Sequence, residues 1–356
     1  MANAMRILLT ADPYLPVPPK FYGGIERVID LLARALVERG HEVTLVAHPE
    51  SRTAGKLIGY GVGEHHSLLA RAGELMQVSW ALTRNVRRCD MIHSFGRLAA
   101  LLPVLSLRSK PKLQSYQRAI PWPGARKASA LAGESLEFSA CSTAMYQAEV
   151  ANSARWHTVY NCVDVAQFQP TESVSPQSPL VFLGRLEPIK GPQAAIEIAQ
   201  RSGRRLILAG NRVELGENAG FFETHLAPHI DGQNIQYIGP VDDAAKNELL
   251  RDAAALLMPI AWDEPFGIVM AEAMACGTPV IGFRRGSVPE VVRDGVTGFV
   301  VDDVAGAAAA VGRLPTLSRA AVRQECQARF CHRVIAAQYE AIYVDLQQRL
   351  AGKGSA

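Results

Sequence analysis

The sequence predicts an α/β protein built from two doubly wound parallel-sheet domains. A chain of 356 residues is too long for one small core and suits two domains of ordinary size. Short apolar runs alternate with helical patterns in both halves, as expected for parallel strands covered by helices. Between the halves, residues 158 to 179 contain three prolines and three serines, which indicates an inter-domain linker.

The first half opens with a strand, a helix and a second strand. Residues 5 to 11 form an apolar strand pattern, and residues 23 to 47 give a helix ending near Gly40 followed by another strand. Further short strands are predicted at 89 to 94, 111 to 116 and 135 to 142.

The second half repeats this alternation. Its predicted strands are PLVFLGR, RRLILAG, NIQYIG, AAALLMP, TPVIGF and GFVV, with the helix PQAAIEIAQRSG after the first. Residues 329 to 350 are predicted to form one long packing helix, because Val334, Ala337, Tyr339, Ile342, Tyr343 and Leu346 recur at helical spacing.

The composition narrows the functional classes. Hydrophobic residues make up 48% and charged residues 20%, which is typical of a globular enzyme. The apolar N-terminal run is short and meets Asp12 at once, so it predicts a strand rather than a signal peptide, and no run of about 18 apolar residues predicts a membrane span. The six cysteines form no C-x-x-C pair, so we expect reduced thiols and a cytoplasmic protein.

Positive charge is concentrated in the first half. Residues 51 to 160 contain fourteen Lys or Arg against six Asp or Glu. A solvated positive face explains this excess, and so does an anionic acceptor or a peripheral contact with the inner face of a membrane. No basic ribbon interleaved with aromatic residues predicts nucleic-acid binding.

Two short motifs are suited to phosphate. Gly23 and Gly24 precede the first helix, where bare backbone can approach an anion at the positive helix end. In GRLEPIKG, Arg185 and Lys190 follow a predicted strand and could together hold a diphosphate. A simple turn and a pair of solvated surface charges are the alternatives. The chain has no Asp-x-Asp pair, and such fixed cations would make a divalent ion unnecessary.

The stretch EPFGIVMAE places two carboxylates, Glu264 and Glu272, around a predicted helix start near Ile268. Glu264 can accept hydrogen bonds from sugar hydroxyls, and Glu272 from a vicinal diol such as ribose. The first amides of that helix, in Phe266, Gly267, Ile268 and Val269, can donate to the same ligand. Two carboxylates also equip a glycoside hydrolase, and a capping Glu with a helix-surface Glu is the simplest alternative.

Taken together, the motifs resemble a known family. EPFGIVMAEAMACGTPV resembles the E-x7-E motif of retaining glycosyltransferases of family 4, which have the GT-B fold of two Rossmann-like domains facing across a cleft. YGGIERV, YNCVD, GRLEPIKG, YIGPVDDAAK and GSVPEVVRDGVTGFVV follow in the family's order, and F-x8-Y-x3-Y is similar to its terminal helix. The resemblance implies an acceptor-binding domain over 1 to 165, a nucleotide-sugar domain over 166 to 334, and a helix from about 335 to 356 that packs back on the first domain.

The resemblance also implies roles for individual residues. Arg185 and Lys190 would bind the donor diphosphate, Glu264 the transferred sugar and Glu272 the ribose, with Gly23 and Gly24 approaching the phosphates from the other domain. Val241, Asp243 and Lys246 match the segment that contacts the base. His93 is a catalytic candidate, but Phe95 stands where the family often has a second histidine, so a structural histidine remains an alternative.

The implied activity is hexosyl transfer with retention, without a metal or cofactor. The expected donor is a UDP or GDP sugar, and the acceptor hydroxyl belongs to a saccharide, a lipid-linked compound or a small molecule. A GT-B epimerase or phosphorylase and a non-catalytic nucleotide-sugar-binding protein are the alternatives.

Overall fold

A computed structural model of the protein describes residues 4–20, 23–61, 68–147 and 155–353. The chain divides into two compact units. The N-terminal unit is Met1–Cys162 together with His332–Ala356, and the C-terminal unit is Val163–Cys331. The boundary after Cys162 falls inside the turn-rich segment from 158 to 179. Among the described helices, none has the length and apolar character needed to cross a membrane.

The N-terminal unit is built on a seven-stranded sheet in the order β3-β2-β1-β4-β5-β6-β7, in which every pairing is parallel. Its strands are β1 Arg6–Thr10, β2 Glu42–Ala47, β3 Lys56–Gly59, β4 Met91–Ser94, β5 Lys112–Tyr116, β6 Leu136–Ala140 and β7 Trp156–Thr158. The predicted strands are confirmed. The sequence did not predict β3 and β7, because both are short edge strands that lack a continuous apolar run.

Helices cover this sheet. They are α1 Gly24–Glu38, α2 Leu68–Asn85, α3 Leu102–Leu105 and α4 Trp122–Ala132. Buried residues of α2, α3 and α4 share one hydrophobic cluster with strand residues such as Ile92 and Phe138, so these helices form a layer on the sheet. Neighbouring helices in this layer touch, α2 against α3 and α3 against α4.

The C-terminal unit contains a six-stranded parallel sheet in the order β10-β9-β8-β11-β12-β13. Its strands are β8 Leu180–Leu183, β9 Leu206–Ala209, β10 Ile235–Tyr237, β11 Ala255–Met258, β12 Val280–Phe283 and β13 Gly298–Val301. Its helices are α5 Pro192–Ser202, α6 Asp243–Asp252, α7 Ile268–Ala275, α8 Val288–Val291, α9 Val304–Arg313 and α10 Arg319–Phe330. Both sheets are therefore doubly wound, which confirms the predicted fold class.

The single long helix predicted over 329 to 350 is wrong in one respect. Helix α10 ends at Phe330, and a separate helix α11, His332–Lys353, begins two residues later. Cys331 between them is extended, with φ −61° and ψ 133°, and it pairs with Val163 in an isolated bridge. The helical spacing continues across the break, so the pattern alone cannot reveal this pairing.

Helix α11 belongs to the N-terminal unit and packs against α1. Tyr339, Tyr343 and Leu346 are fully buried on it. Polar anchors hold the helix as well: Glu340 pairs with Arg39, and Arg349 pairs with the buried Glu137 of β6. Apolar burial and ion pairing thus fix helix α11 to the N-terminal unit.

A buried guanidinium ties the start of the C-terminal unit to its core. Arg319 donates to the carbonyl oxygens of Thr171 at 2.8 Å and Ala253 at 2.9 Å, and to Thr278 Oγ1 at 2.6 Å. Burial lowers the pKa of this guanidinium. Because the group stays charged, its hydrogen bonds to carbonyls offset the cost of removing it from water.

Candidate functional site

Strand order in the C-terminal unit reverses between β8 and β11, and ligands of doubly wound sheets bind at the carboxyl ends of strands at such a point. The loops that follow these two strands are joined, because the amide of Ala261 donates to the carbonyl of Ile189 at 2.8 Å. Gly191 has φ +76°, and a Cβ there would lie 2.0 Å from the carbonyl oxygen of Pro259. Only glycine allows the two loops to come this close.

Lys190 and Glu264 meet where these loops join. Lys190 Nζ lies 2.5 Å from Glu264 Oε2, and the two side chains are 18% and 11% exposed. Trp262 supports both groups. Its indole Nε1–H donates to Glu264 Oε2 at 2.8 Å, and its ring lies 4.8 Å from the Lys190 ammonium. Lys190 and Trp262 thus both donate to the Glu264 carboxylate, which is nearly buried.

Arg185 follows β8 directly and remains half exposed. Its Nη2 lies 2.8 Å from Glu187 Oε1, and the side chains are 48% and 7% exposed. That oxygen forms no aligned hydrogen bond within the described residues, so the contact is an ion pair without directional bonding. The guanidinium therefore keeps donors available to a ligand.

A second lysine–glutamate pair joins helices α6 and α7. Lys246 Nζ on α6 is 2.5 Å from Glu272 Oε1 on α7 and 3.1 Å from Asp243 Oδ1. The Lys246 and Glu272 side chains are 13% and 10% exposed. Val241 lies just before α6, where Asp242 caps the helix by accepting from the amide of Ala245 at 2.9 Å.

The start of α7 is built as the sequence predicts. The helix begins at Ile268, with Gly267 before it in the left-handed region at φ +71°. Phe266 is buried, and Ser287 Oγ donates to its carbonyl oxygen at 2.9 Å. Ser287 also donates its amide to the carbonyl of Glu264 at 3.0 Å. Ser287 therefore fixes the loop that carries Glu264 just before the first turn of α7, which includes Val269.

His93 has a different setting in the N-terminal unit. Its Nδ1 is 2.6 Å from the Tyr343 hydroxyl and its Nε2 is 2.6 Å from Ser115 Oγ. The ring is fully buried beside Phe95 and Tyr339, and this burial lowers the pKa of its imidazole to about 3. Both ring nitrogens are engaged, which favours the structural alternative over the catalytic one.

Gly23 and Gly24 stand at the start of α1. Helix α1 begins at Gly24, and a Cβ on Gly23 would lie 2.7 Å from Pro19 Cβ and 3.0 Å from Glu26 Oε2. The local packing alone therefore requires glycine at position 23. Tyr22, which belongs to the same motif, lies outside the described residues.

The strand order of the N-terminal unit reverses between β1 and β4, and a cavity of about 630 Å³ opens there. Segments following β1, β4 and β5 contribute Asp12, Arg97 and Arg118 to its lining, and α4 contributes Lys127. Tyr116 and Gln117 also line this cavity, and the buried Tyr116 hydroxyl and Gln117 Oε1 have no hydrogen-bond partner among the described residues.

Two family descriptions match this chain in succession. Residues 22–167 match "Glycosyltransferase Family 4" and residues 166–321 match "Glycosyl transferases group 1". The chain belongs to the group 1, family 4 glycosyltransferases. The resemblance of its motifs to this family is thereby confirmed.

Similar solved structures cover almost the whole chain. A glycosyltransferase involved in avilamycin A biosynthesis shares 24% identity, with a TM-score of 0.70, covering 98% of each chain. Sucrose-phosphate synthase from Thermosynechococcus elongatus shares 20% identity over 96% of this chain and 99% of its own, with a TM-score of 0.74. HepE from Anabaena, solved in complex with UDP-glucose, shares 19% over 99% of each chain, with a TM-score of 0.66. These likenesses confirm the GT-B fold.

Among curated proteins, the D-inositol 3-phosphate glycosyltransferase of Mycobacterium tuberculosis is 31% identical over 162 residues. The match covers 42% of this chain and 34% of the relative, so the chain matches about a third of the length of that glycosyltransferase.

The sequence did not identify two residues of this candidate site. Trp262 supports the Lys190–Glu264 pair, and Glu187 pairs with Arg185. A tryptophan two positions before Glu264, in a loop after a buried strand, was a usable signal. Glu187 gave no such signal, since a glutamate between Arg185 and Lys190 also fits a solvated loop.

Proposed function

We propose that this protein is a retaining, metal-independent glycosyltransferase that transfers a sugar from a nucleoside-diphosphate sugar to a hydroxyl acceptor. The observation that carries the proposal is the pair of lysine–glutamate contacts, Lys190 with Glu264 and Lys246 with Glu272, beside the β8/β11 reversal. One pair is suited to the sugar diphosphate and the other to the nucleoside.

Arg185 and Lys190 would stabilise the nucleotide diphosphate as it departs. Arg185 and Lys190 lie on one loop after β8 and would bind the diphosphate, whose negative charge grows as the bond to the sugar breaks. Without a bound donor, Glu264 neutralises Lys190. An arriving phosphate would share the ammonium and leave Glu264 able to accept from sugar hydroxyls. This arrangement supplies the electrostatic stabilisation that a divalent ion gives elsewhere.

The nucleoside would lie toward α6 and α7. Glu272 can accept two hydrogen bonds from the ribose diol, while Val241, Asp243 and Lys246 border the base. The amides of Phe266, Gly267, Ile268 and Val269 lie at the positive end of α7 and suit an anionic or hydroxylated ligand. The UDP-glucose named in the HepE complex supports UDP as the first nucleotide to test.

The cavity of the N-terminal unit is the proposed acceptor site. Tyr116 and Gln117 line it, and each carries a buried polar atom without a partner that a bound polyol could satisfy after a small side-chain movement. Arg118 and Lys127 favour an anionic group on that polyol. The relative named for D-inositol 3-phosphate supports a phosphorylated polyol as a first candidate. In the proposed reaction the acceptor oxygen bonds to the anomeric carbon as the phosphate oxygen leaves, and the hydroxyl proton passes to that phosphate.

Three further residues of the prediction belong to the N-terminal unit. Gly23 and Gly24 remain proposed phosphate contacts. His93 remains a catalytic candidate only if its buried hydrogen bonds to Tyr343 and Ser115 give way on substrate binding.

Ligand-induced stabilisation tests the donor site directly. The purified protein is heated with UDP, GDP, ADP or TDP, and a bound nucleotide raises the melting temperature by mass action. We expect one nucleotide to stand out, and its effect to disappear in Lys190→Ala. Asp263→Ala is the matched control, because Asp263 is an exposed carboxylate next to Glu264. No shift with any nucleotide, or equal shifts in all variants, would contradict the site.

Transfer assays then separate the alternatives. With the selected nucleotide sugar and candidate polyol acceptors, we expect a glycoside product in wild type and Asp263→Ala and none in Glu264→Ala. Proton NMR of the new anomeric centre should show the donor's configuration, and EDTA should leave the rate unchanged. Nucleotide binding without any product from donor plus acceptor would favour a binding protein, and release of the sugar as an epimer or a sugar phosphate would favour an epimerase or a phosphorylase.

A further inference from the structure

Helix α2 of the N-terminal unit carries apolar side chains on two faces. Val78, Ala81 and Leu82 pack into the hydrophobic cluster beneath it. On the opposite side Leu69, Met76 and Trp80 are 86%, 69% and 61% exposed. At about 100° per residue these three lie within about 40° of one another, so they form one narrow strip along the helix. The α2 strip is defined by these three residues.

Positive charge continues the α2 strip at its C-terminal end. The Arg84 guanidinium stacks 4.7 Å above the Trp80 ring, and Arg87 and Arg88 follow as exposed side chains. Neither Arg87 nor Arg88 meets a carboxylate within the described part of the chain. An exposed tryptophan and methionine beside unpaired arginines combine an apolar and a cationic surface on one helix end.

The same composition extends over the neighbouring helices. Leu102 and Leu107 at α3 and Leu131 on α4 are 56%, 41% and 48% exposed. Residues 68 to 132 contain eleven Lys or Arg, of which Lys112 is buried, and two acidic residues. Of the acidic pair, Glu74 is buried and Asp90 is bound to Arg6 at 2.7 Å, so neither screens the outer surface. Since α2, α3 and α4 touch in succession, one layer of the unit is both apolar and basic.

We propose that this α2–α3–α4 layer docks on an anionic lipid bilayer, with the α2 strip inserted at the headgroup boundary. The exposed guanidinium groups of Arg84, Arg87 and Arg88 would repel the same surface of a second copy of this chain and attract anionic headgroups instead. Trp80, with an amphipathic ring and a neighbouring guanidinium, is suited to the interface between headgroups and acyl chains. The proposal does not depend on the chemistry of sugar transfer.

Vesicle flotation tests the docking. The full-length protein is mixed with vesicles of phosphatidylcholine alone or of equal parts phosphatidylcholine and phosphatidylglycerol. We expect flotation only with the anionic vesicles, and loss of flotation at about 1 M salt, where screening is nearly complete. Tryptophan emission should shift to the blue on binding, and Trp80→Phe should remove most of that shift.

Two variants and two controls decide the outcome. Met76→Ser with Trp80→Ser should lose insertion, and Arg84→Gln, Arg87→Gln and Arg88→Gln together should weaken partitioning roughly a hundredfold. The matched apolar control is Leu215→Ser, 86% exposed in the C-terminal unit, and the matched charge control combines Arg201→Gln, Arg205→Gln and Arg293→Gln. We expect both controls to float like wild type, with all variants keeping the wild-type melting temperature.

Three outcomes would overturn the proposal. Equal flotation of the variants and their controls would show that general charge or exposure is responsible. Salt-resistant binding of the protein to neutral vesicles would show that anionic headgroups are not required. A dimer that dissociates in the Met76→Ser and Trp80→Ser variant, without vesicle binding in the wild type, would assign the surface to a second copy.

Discussion

Replacement of Lys190 by methionine tests the candidate donor site most sharply. The ammonium lies 2.5 Å from Glu264 Oε2 and would stabilise the departing diphosphate, so its loss removes a charged donor where charge develops. Such a donor is worth about 3 to 4 kcal/mol, and each 1.36 kcal/mol is about tenfold in rate. We therefore expect kcat/KM to fall about a hundred- to a thousandfold.

The same substitution has a predictable effect on folding. Glu264, whose side chain is 11% exposed, keeps the Trp262 indole donor but loses its cation. A buried charged group that loses one partner costs about 1 to 3 kcal/mol of unfolding free energy. In the double variant Lys190→Met and Glu264→Gln, the neutral amide oxygen still accepts from Trp262 and no charge is left unpaired. We expect its stability to recover to within about 1 kcal/mol of wild type.

The double variant should therefore regain stability without regaining activity, and a double-mutant cycle of four proteins tests this. Urea unfolding gives the stability of the four proteins, and initial rates at saturating acceptor give kcat/KM for the donor. Arg205→Gln, an exposed substitution in the same unit, serves as the control for charge removal. Two results would refute the role given to Lys190. One is recovery of turnover in the double variant, and the other is a kcat/KM for Lys190→Met within about threefold of wild type, since a loss of about a hundredfold or more is expected.

Three further predictions concern single residues. Burial lowers the pKa of His93 to about 3 against about 6.5 when unfolded, so the unfolded state binds the extra proton below about pH 6.5. Stability should thus fall by up to about 1.4 kcal/mol per pH unit from this residue as pH drops toward 3, and His93→Gln should flatten that dependence in chemical denaturation at several pH values. Arg319→Met leaves the buried carbonyl of Ala253 unpaired and should cost about 3 kcal/mol by urea unfolding, and a loss below about 1 kcal/mol would contradict it. Gly191→Ala places a Cβ 2.0 Å from the Pro259 carbonyl oxygen at φ +76°. It should therefore push the two site loops apart and abolish the nucleotide-induced thermal shift. Gly203→Ala, which is also at positive φ but in open space, should retain that shift.

Much of the fold was predictable because parallel strands are continuous apolar runs. The runs at Arg6–Thr10 and Ala255–Met258 stand out for that reason. The edge strand Trp156–Thr158 did not, since its residues are only half buried. The break at Cys331 was hidden because the residue leaves the helical pattern only to pair with Val163, a partner far away in sequence.

For the candidate site, residue type and position after a strand were enough to choose Arg185, Lys190, Glu264 and Glu272. What the sequence could not supply was their pairing. Lys246 was selected as a base contact, yet it lies 2.5 Å from Glu272, the residue chosen for the ribose. Pairing depends on how α6 and α7 pack, and no local pattern encodes that. For His93 the sequence position suggests a catalytic role, whereas its burial between Tyr343 and Ser115 suggests a structural one.

The placement of helix α11 sets an order of events during protein synthesis. Strands β1 to β7 of the N-terminal unit are translated before the C-terminal unit, yet the tyrosines that cover His93 and Ser115 are translated after it. Until then helix α11 cannot cover these two side chains. The N-terminal unit is thus completed only after the whole C-terminal unit has been translated.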